Sequence, residues 1–262
     1  MRFLTVVATE LVKLRRSRVT WLSFAVYTFM VAVGALFLWM MKNPGTAESV
    51  GLLGQKATFA FGGQSLDWST FLGFIVEMGG VGGLVICSII AAYVFGREYT
   101  EGTAKNLLAL PVARSRFVLA KIVVSAIWFT ALTLWLIPAT YLAGTLAGLR
   151  GLTVALLLPA ATKLLALAAM SLACAMLVAW VAVESRGYFA PLGFTFFTLM
   201  LASVFGHTGW AQWVPWSIVG LYSGAAGPEA DPGVGSIAVL AATFLAGTAL
   251  TIRHELYADN GQ

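Results

Sequence analysis

Few residues in this chain have the side chains that enzymes use. Two histidines, His207 and His254, and two cysteines, Cys87 and Cys174, are the whole supply of imidazole and thiol. A zinc site needs three or four such ligands converging at fixed spacing. Both cysteines fall inside long apolar runs without ligand spacing, so they are read as packing residues. The histidines lie in separate loops, too far apart for one metal site or a His-based acid–base pair. The sequence also lacks a Gly-x-x-x-x-Gly-Lys-Ser/Thr phosphate loop, a His-Glu-x-x-His zinc helix, a Gly-x-Ser-x-Gly nucleophile turn and a dinucleotide glycine fingerprint. One carboxylate, Glu77, stands well inside an apolar run. A charge in hydrocarbon is costly, which makes Glu77 a functional candidate by default. Its place near the outer end of that run leaves a hydrated structural role equally open. No second acid, nucleophile or ligand accompanies it, which argues against an enzyme embedded in the membrane.

The elements that must position these residues follow from composition. Hydrophobic residues make up 60% of the chain and charged ones 10%, with a mean hydropathy of +0.88. Soluble domains carry about 25% charged residues, so the chain is read as an all-α membrane protein. The hydrocarbon layer is about 30 Å thick, and about 20 apolar residues cross it as a helix that satisfies its own backbone. Segments of that kind run from Val19 to Met41, Phe71 to Phe95, Val118 to Leu146, Lys163 to Val183, Tyr188 to Phe205 and Gly235 to Ile252. Pro159 is expected to separate the fourth from the apolar stretch that begins at Gly151, as a bend or short interfacial helix. With no internal repeat or low-complexity linker, residues 1–262 are expected to form one membrane domain.

The formal net charge of +5 could suggest nucleic acid, but the basic residues flank apolar segments instead of building a solvated face. Topology explains them better. With the N-terminus inside, the cytoplasm receives Arg2, Lys13, Arg15, Arg16, Arg18, Arg97, Lys105, Arg114, Arg116, Lys121, Arg186 and Arg253; Lys42, Lys56, Arg150 and Lys163 fall outside. That excess follows the positive-inside rule and predicts two cytoplasmic termini. The first apolar run is too long for a signal-peptide h-region and no small-x-small cleavage site follows, so it is expected to remain as a span. Ahead of it, residues 3–18 place Phe3, Leu4, Val7, Leu11 and Leu14 at helical spacing with Glu10, Lys13 and Arg16 polar, the pattern of a helix lying in the interface.

The connection between the second and third spans, residues 97–117, is the most distinctive segment. It begins with Arg97, Glu98, Tyr99, Thr100 and Glu101, turns at Gly102-Thr103, continues through Leu107 and Leu108 to Pro111, and reaches Arg114 and Arg116 before Leu119-Ala120-Lys121 enters the next span. Gly102 permits a sharp turn, Thr103 can cap a following short helix, Leu107 and Leu108 give that helix an apolar face, and Pro111 stops it. A plain surface loop with snorkelling arginines is the bland alternative. This pattern resembles the corresponding loop of type-2 ABC exporter permeases, where it forms the coupling helix that docks in the nucleotide-binding subunit. The resemblance implies that Glu98, Glu101, Arg114 and Arg116 are candidate polar contacts with that subunit.

A second resemblance lies after the fifth span. Residues 207–226 are apolar and free of charge, and Trp213, Pro215 and Trp216 sit in a stretch too broken to span. Tryptophan favours the membrane interface, so the segment is expected to dip into the outer leaflet. Similar external re-entrant segments occur in the type V exporter fold. The Glu184-Ser185-Arg186-Gly187 turn also fits, resembling bacitracin-export and lantibiotic-immunity permeases. The resemblance implies a translocation path lined by the second and fifth spans, here Glu77, Gly79, Gly80, Gly83, Phe194 and Phe197. The glycines equally suit close helix packing. It further implies two permease copies, or one with a homologous permease, and two copies of a separate ABC ATPase that holds ATP and Mg. No cofactor is expected in this chain. The expected setting is a bacterial inner membrane and the expected cargo an amphipathic or hydrophobic compound, such as an antimicrobial peptide, an antibiotic or a lipid. A non-transporting scaffold or channel-like subunit is the alternative.

Overall fold

The computed structural model describes residues 3–43, 45, 51, 67–103, 113–226 and 231–257. Its described elements are helical: α1 (Phe3–Arg15), α2 (Arg18–Lys42), α3 (Trp68–Thr100), α4 (Arg114–Leu146), α5 (Val154–Glu184), α6 (Phe189–Gly206), a 3-10 turn (Ala211–Trp213), α7 (Pro215–Ser223) and α8 (Val234–Tyr257). Six of them, α2 to α6 and α8, are long and apolar enough to cross a membrane. The six expected spans are therefore present, and the chain is an all-α membrane protein.

Successive spans run in opposite directions. Lys42, at the end of α2, donates to the Ala147 carbonyl just past α4 at 2.6 Å. Trp68 opens α3 beside Gly144 of α4, and Gly235 opens α8 beside Trp213. At the other end, Gly96 of α3 lies against the Gly187-Tyr188 entry to α6. His254 of α8 meets Glu184 of α5 there, with Nδ1 2.9 Å from the carboxylate. Hence α1 and the end of α8 share one end of the bundle.

Helices α3 and α5 form the centre, and α8 packs on the far side of α5. Close approach depends on glycine at specific points. A Cβ on Gly247 would stand 2.5 Å from the backbone of Met176, so only glycine lets α8 lie against α5 there.

Three boundaries differ from the sequence expectation. The fourth span starts at Val154 and runs through Pro159 as one helix, without a separate interfacial piece. Little more than one turn precedes Pro159, so its missing N–H leaves a single carbonyl unpaired and its ring has little helix to displace. Helix α3 extends five residues past Phe95, because Arg97 and Glu98 are neutralised inside the protein. Helix α1 buries Val6, Glu10 and Leu14 at four-residue spacing, whereas Leu4 is 75% exposed. Glu10 thus belongs to the inward face that composition alone assigns to apolar residues.

Candidate functional site

Along the shared end of the bundle, three helices bring together five charges. Arg97 and Glu98 are 5% and 6% exposed, Glu10 and Lys121 both 2%. Glu10 is carried inward by its register with Val6 and Leu14. Consecutive helix residues are separated by about 100°, so Arg97 turns toward α1 while Glu98 turns toward α4. Arg97 Nη2 donates to Glu10 Oε2 at 2.9 Å, and Lys121 Nζ donates to Glu98 Oε2 at 2.6 Å. Lys13 bridges the two carboxylates, 2.6 Å from Glu10 and 3.5 Å from Glu98. Two aromatic faces complete the surroundings of the buried cations: Arg97 lies 5.7 Å from the Tyr93 ring centroid and Lys121 5.4 Å from that of Phe95. Each buried ion is costly to desolvate, and only this mutual pairing offsets the cost. What the network supplies is a fixed relative position for α1, α3 and α4.

The α3–α4 connection is anchored at both ends beside that network. Thr103 N donates to the Glu98 carbonyl at 2.9 Å and Gly102 N to that of Tyr99 at 3.2 Å. Gly102 has φ +67°, and this pairing with a left-handed residue is the Schellman closure of a helix C-terminus. Tyr99 donates its hydroxyl to Glu255 Oε1 at 2.8 Å, and Arg114 Nη1 donates to the Glu255 carbonyl at 2.7 Å. The last turn of α8 therefore holds both ends of the connection.

This arrangement corrects two expectations. Glu98 does not face a docking partner: its carboxylate points into the bundle, held by Lys121 and Lys13. Thr103 turns back to close α3, its hydroxyl 3.4 Å from the Glu98 carbonyl. Arg114 is partly buried and engaged with α8, whereas Glu101, Gly102 and Arg116 are exposed. Leu107, Leu108 and Pro111, with the expected coupling helix itself, lie outside the described residues.

The residues expected along a translocation path divide. Glu77 is exposed on α3 in line with Gly73 and Val81, and Phe197 is exposed on α6 beside Phe196 and Met200. Gly79, Gly80 and Gly83 are buried within this chain instead. Gly79 meets Leu164 of α5, Gly80 meets Ser223 of α7 and Gly83 meets Tyr27 of α2. Their role in this chain is close helix packing. Phe194 is half-buried and stands edge-on to Trp216, with centroids 5.8 Å apart. Pro215 opens α7, which buries Trp216, Ser217, Ile218 and Val219 against the bundle; Trp213 stays 53% exposed.

The sequence reading did not single out Glu10 and Lys121 as partners of this site. The signal for Glu10 was its four-residue register with Val6 and Leu14. That for Lys121 was a lone cation on the inward face of an apolar helix.

A polytopic bundle of six apolar helices, tied at one end by buried ion pairs, defines the protein as an integral membrane protein. Residues 6–202, spanning α1 to most of α6, match the family described as ABC-2 family transporter protein. The chain is also 32% identical over 171 residues to the bacitracin transport permease protein BCRB of Bacillus licheniformis, covering 65% of this chain and 82% of that protein. The chain belongs to the ABC-2 transporter family and is a permease of that family.

Proposed function

We propose that this permease is the membrane subunit of an ATP-driven exporter. A separate ABC ATPase, in two copies, holds ATP and Mg and supplies the energy. Two permeases, identical or homologous, form the path between them. Both termini and the α3–α4 connection face the cytoplasm of a bacterial inner membrane, where most of the Lys and Arg residues collect. The residues 207–226 form the external re-entrant segment.

The single observation that carries this reading is the anchoring of the α3–α4 connection. It leaves α3 through a closed turn and is tied to α1, α4 and α8 by ion pairs and hydrogen bonds. A segment fixed so firmly can move two spans as a unit when a partner pushes it. Glu101 and Arg116 are the exposed charges beside it that are left for that partner. The cargo is an amphipathic or hydrophobic compound, and bacitracin is the first to try because the similar permease is named for transporting it.

The test is purification of the tagged permease from its host in mild detergent. A stoichiometric ABC ATPase in the eluate, together with increased bacitracin resistance when both subunits are expressed in a sensitive host, is the expected result. Reproducible absence of any ATPase would favour a scaffold or channel-like subunit.

A further inference from the structure

Between α3, α6 and α7 lies a cavity of about 230 Å³. Its walls are Val81 and Leu84 from α3, Leu199 from α6, and Trp216 and Val219 from α7. The hollow exists because Ala202, Gly206 and Gly220 stand where larger side chains would fill it. Well-packed interiors rarely leave such a space. A cavity of about 150 Å³ suffices for benzene, so this one admits an aromatic ring or a short alkyl segment.

The cavity also carries a specific polar group. The Trp216 indole N–H is buried and has no acceptor among the described residues, while Trp216 as a whole is only 9% exposed. A buried donor without a partner is rare and unfavourable. At the rim, Ser203 and His207 are exposed and add polar groups where the apolar walls end.

We propose that this cavity is a binding site for the apolar segment of an amphiphile, with the Trp216 N–H donating to an oxygen acceptor on the ligand. The ring or alkyl segment displaces water from the apolar walls, and the acceptor supplies the hydrogen bond that the protein leaves unmade. The same chemistry is offered by a free aromatic amphiphile and by the ester end of a lipid acyl chain. The inference concerns binding alone and stands whether or not the permease exports anything.

The test uses the full-length protein purified in detergent and a photoreactive probe, a trifluoromethyl-diazirinyl benzyl alcohol, with adducts located by mass spectrometry. Saturable labelling confined to residues 199–207 and 216–226 is expected. Trp216→Phe keeps the ring but removes the donor and should weaken saturation about fivefold. Ala202→Phe fills the hollow and should abolish labelling; if that variant misfolds, Trp216→Phe still carries the test. Repeating the labelling in phospholipid nanodiscs separates the sources. Labelling that survives supports a free amphiphile. Labelling lost there, with a diazirine-tailed phospholipid cross-linking to the same residues, supports an acyl chain. Non-saturating adducts spread over the exposed faces of the spans, or unchanged saturation in Trp216→Phe, would overturn the proposal.

Discussion

Replacing Glu98 by glutamine tests whether the five-charge network holds α1, α3 and α4 together. Lys121 Nζ lies 2.6 Å from the Glu98 carboxylate and the lysine is 2% exposed. Removing the carboxylate leaves that ammonium buried with only an amide oxygen and the Phe95 ring nearby. Breaking a buried pair from one side costs about 3–5 kcal/mol, and because the amide can still accept one hydrogen bond, the low end applies, about 3 kcal/mol. For a chain of this length, that lowers the melting temperature by about 9 °C. The opposite truncation, Lys121→Met, should cost about half as much, since Glu98 keeps Lys13 at 3.5 Å and the remaining charges balance. Replacing both at once should recover stability to within about 1 kcal/mol of the wild type, because no buried ion is then left unpaired. Thermal unfolding in detergent, followed by size-exclusion profile, measures all three. If the two single variants lose equally and the double variant loses their sum, the pair is not the buried unit argued here.

Other expectations follow from single contacts. Gly247→Ala should destabilise by about 1–3 kcal/mol, since its Cβ would meet the Met176 backbone, whereas Gly193→Ala, with nothing within 4 Å, should not; thermal unfolding of both variants decides. Gly102→Ala places a side chain at φ +67° and should cost about 1–2 kcal/mol. Together with Glu101→Lys, it should lower transport per ATP hydrolysed in proteoliposomes holding the ATPase, with membrane insertion unchanged. Retained coupling in both variants would contradict the assignment of this connection. Glu77 is exposed and has no partner among the described residues, so Glu77→Gln should leave stability within about 0.5 kcal/mol of wild type. A changed resistance phenotype at equal expression would then mark Glu77 as part of the path.

The spans were legible because a membrane helix has one dominant requirement, a long apolar run, and each run here is separated by glycine, proline or charge. What hydropathy could not place was the end of a helix whose charges are paired internally. Helix α3 is 33 residues long, about 50 Å, and its last turn looked like loop because Arg97, Glu98 and Glu101 lower the local hydropathy. Pro159 misled for a related reason. A proline is a reliable break in a helix interior, but its effect depends on how much helix precedes it, which only the position of Val154 reveals.

The site was legible as a segment but not as a set of directions. Arg97, Glu98, Glu101, Arg114 and Arg116 all read as surface charges, yet the helix turns two of them inward to Glu10 and Lys121, and α8 captures a third through the Glu255 carbonyl. Those pairings cross 87, 23 and 141 residues of chain, distances over which no local pattern carries information. They divide the charges into two groups with different consequences. Arg97, Glu98 and Arg114 hold helices to one another, so their loss should appear first as instability. Glu101 and Arg116 hold nothing within the described chain that their loss would release, so a defect there at normal stability points outward, to whatever pushes on the connection.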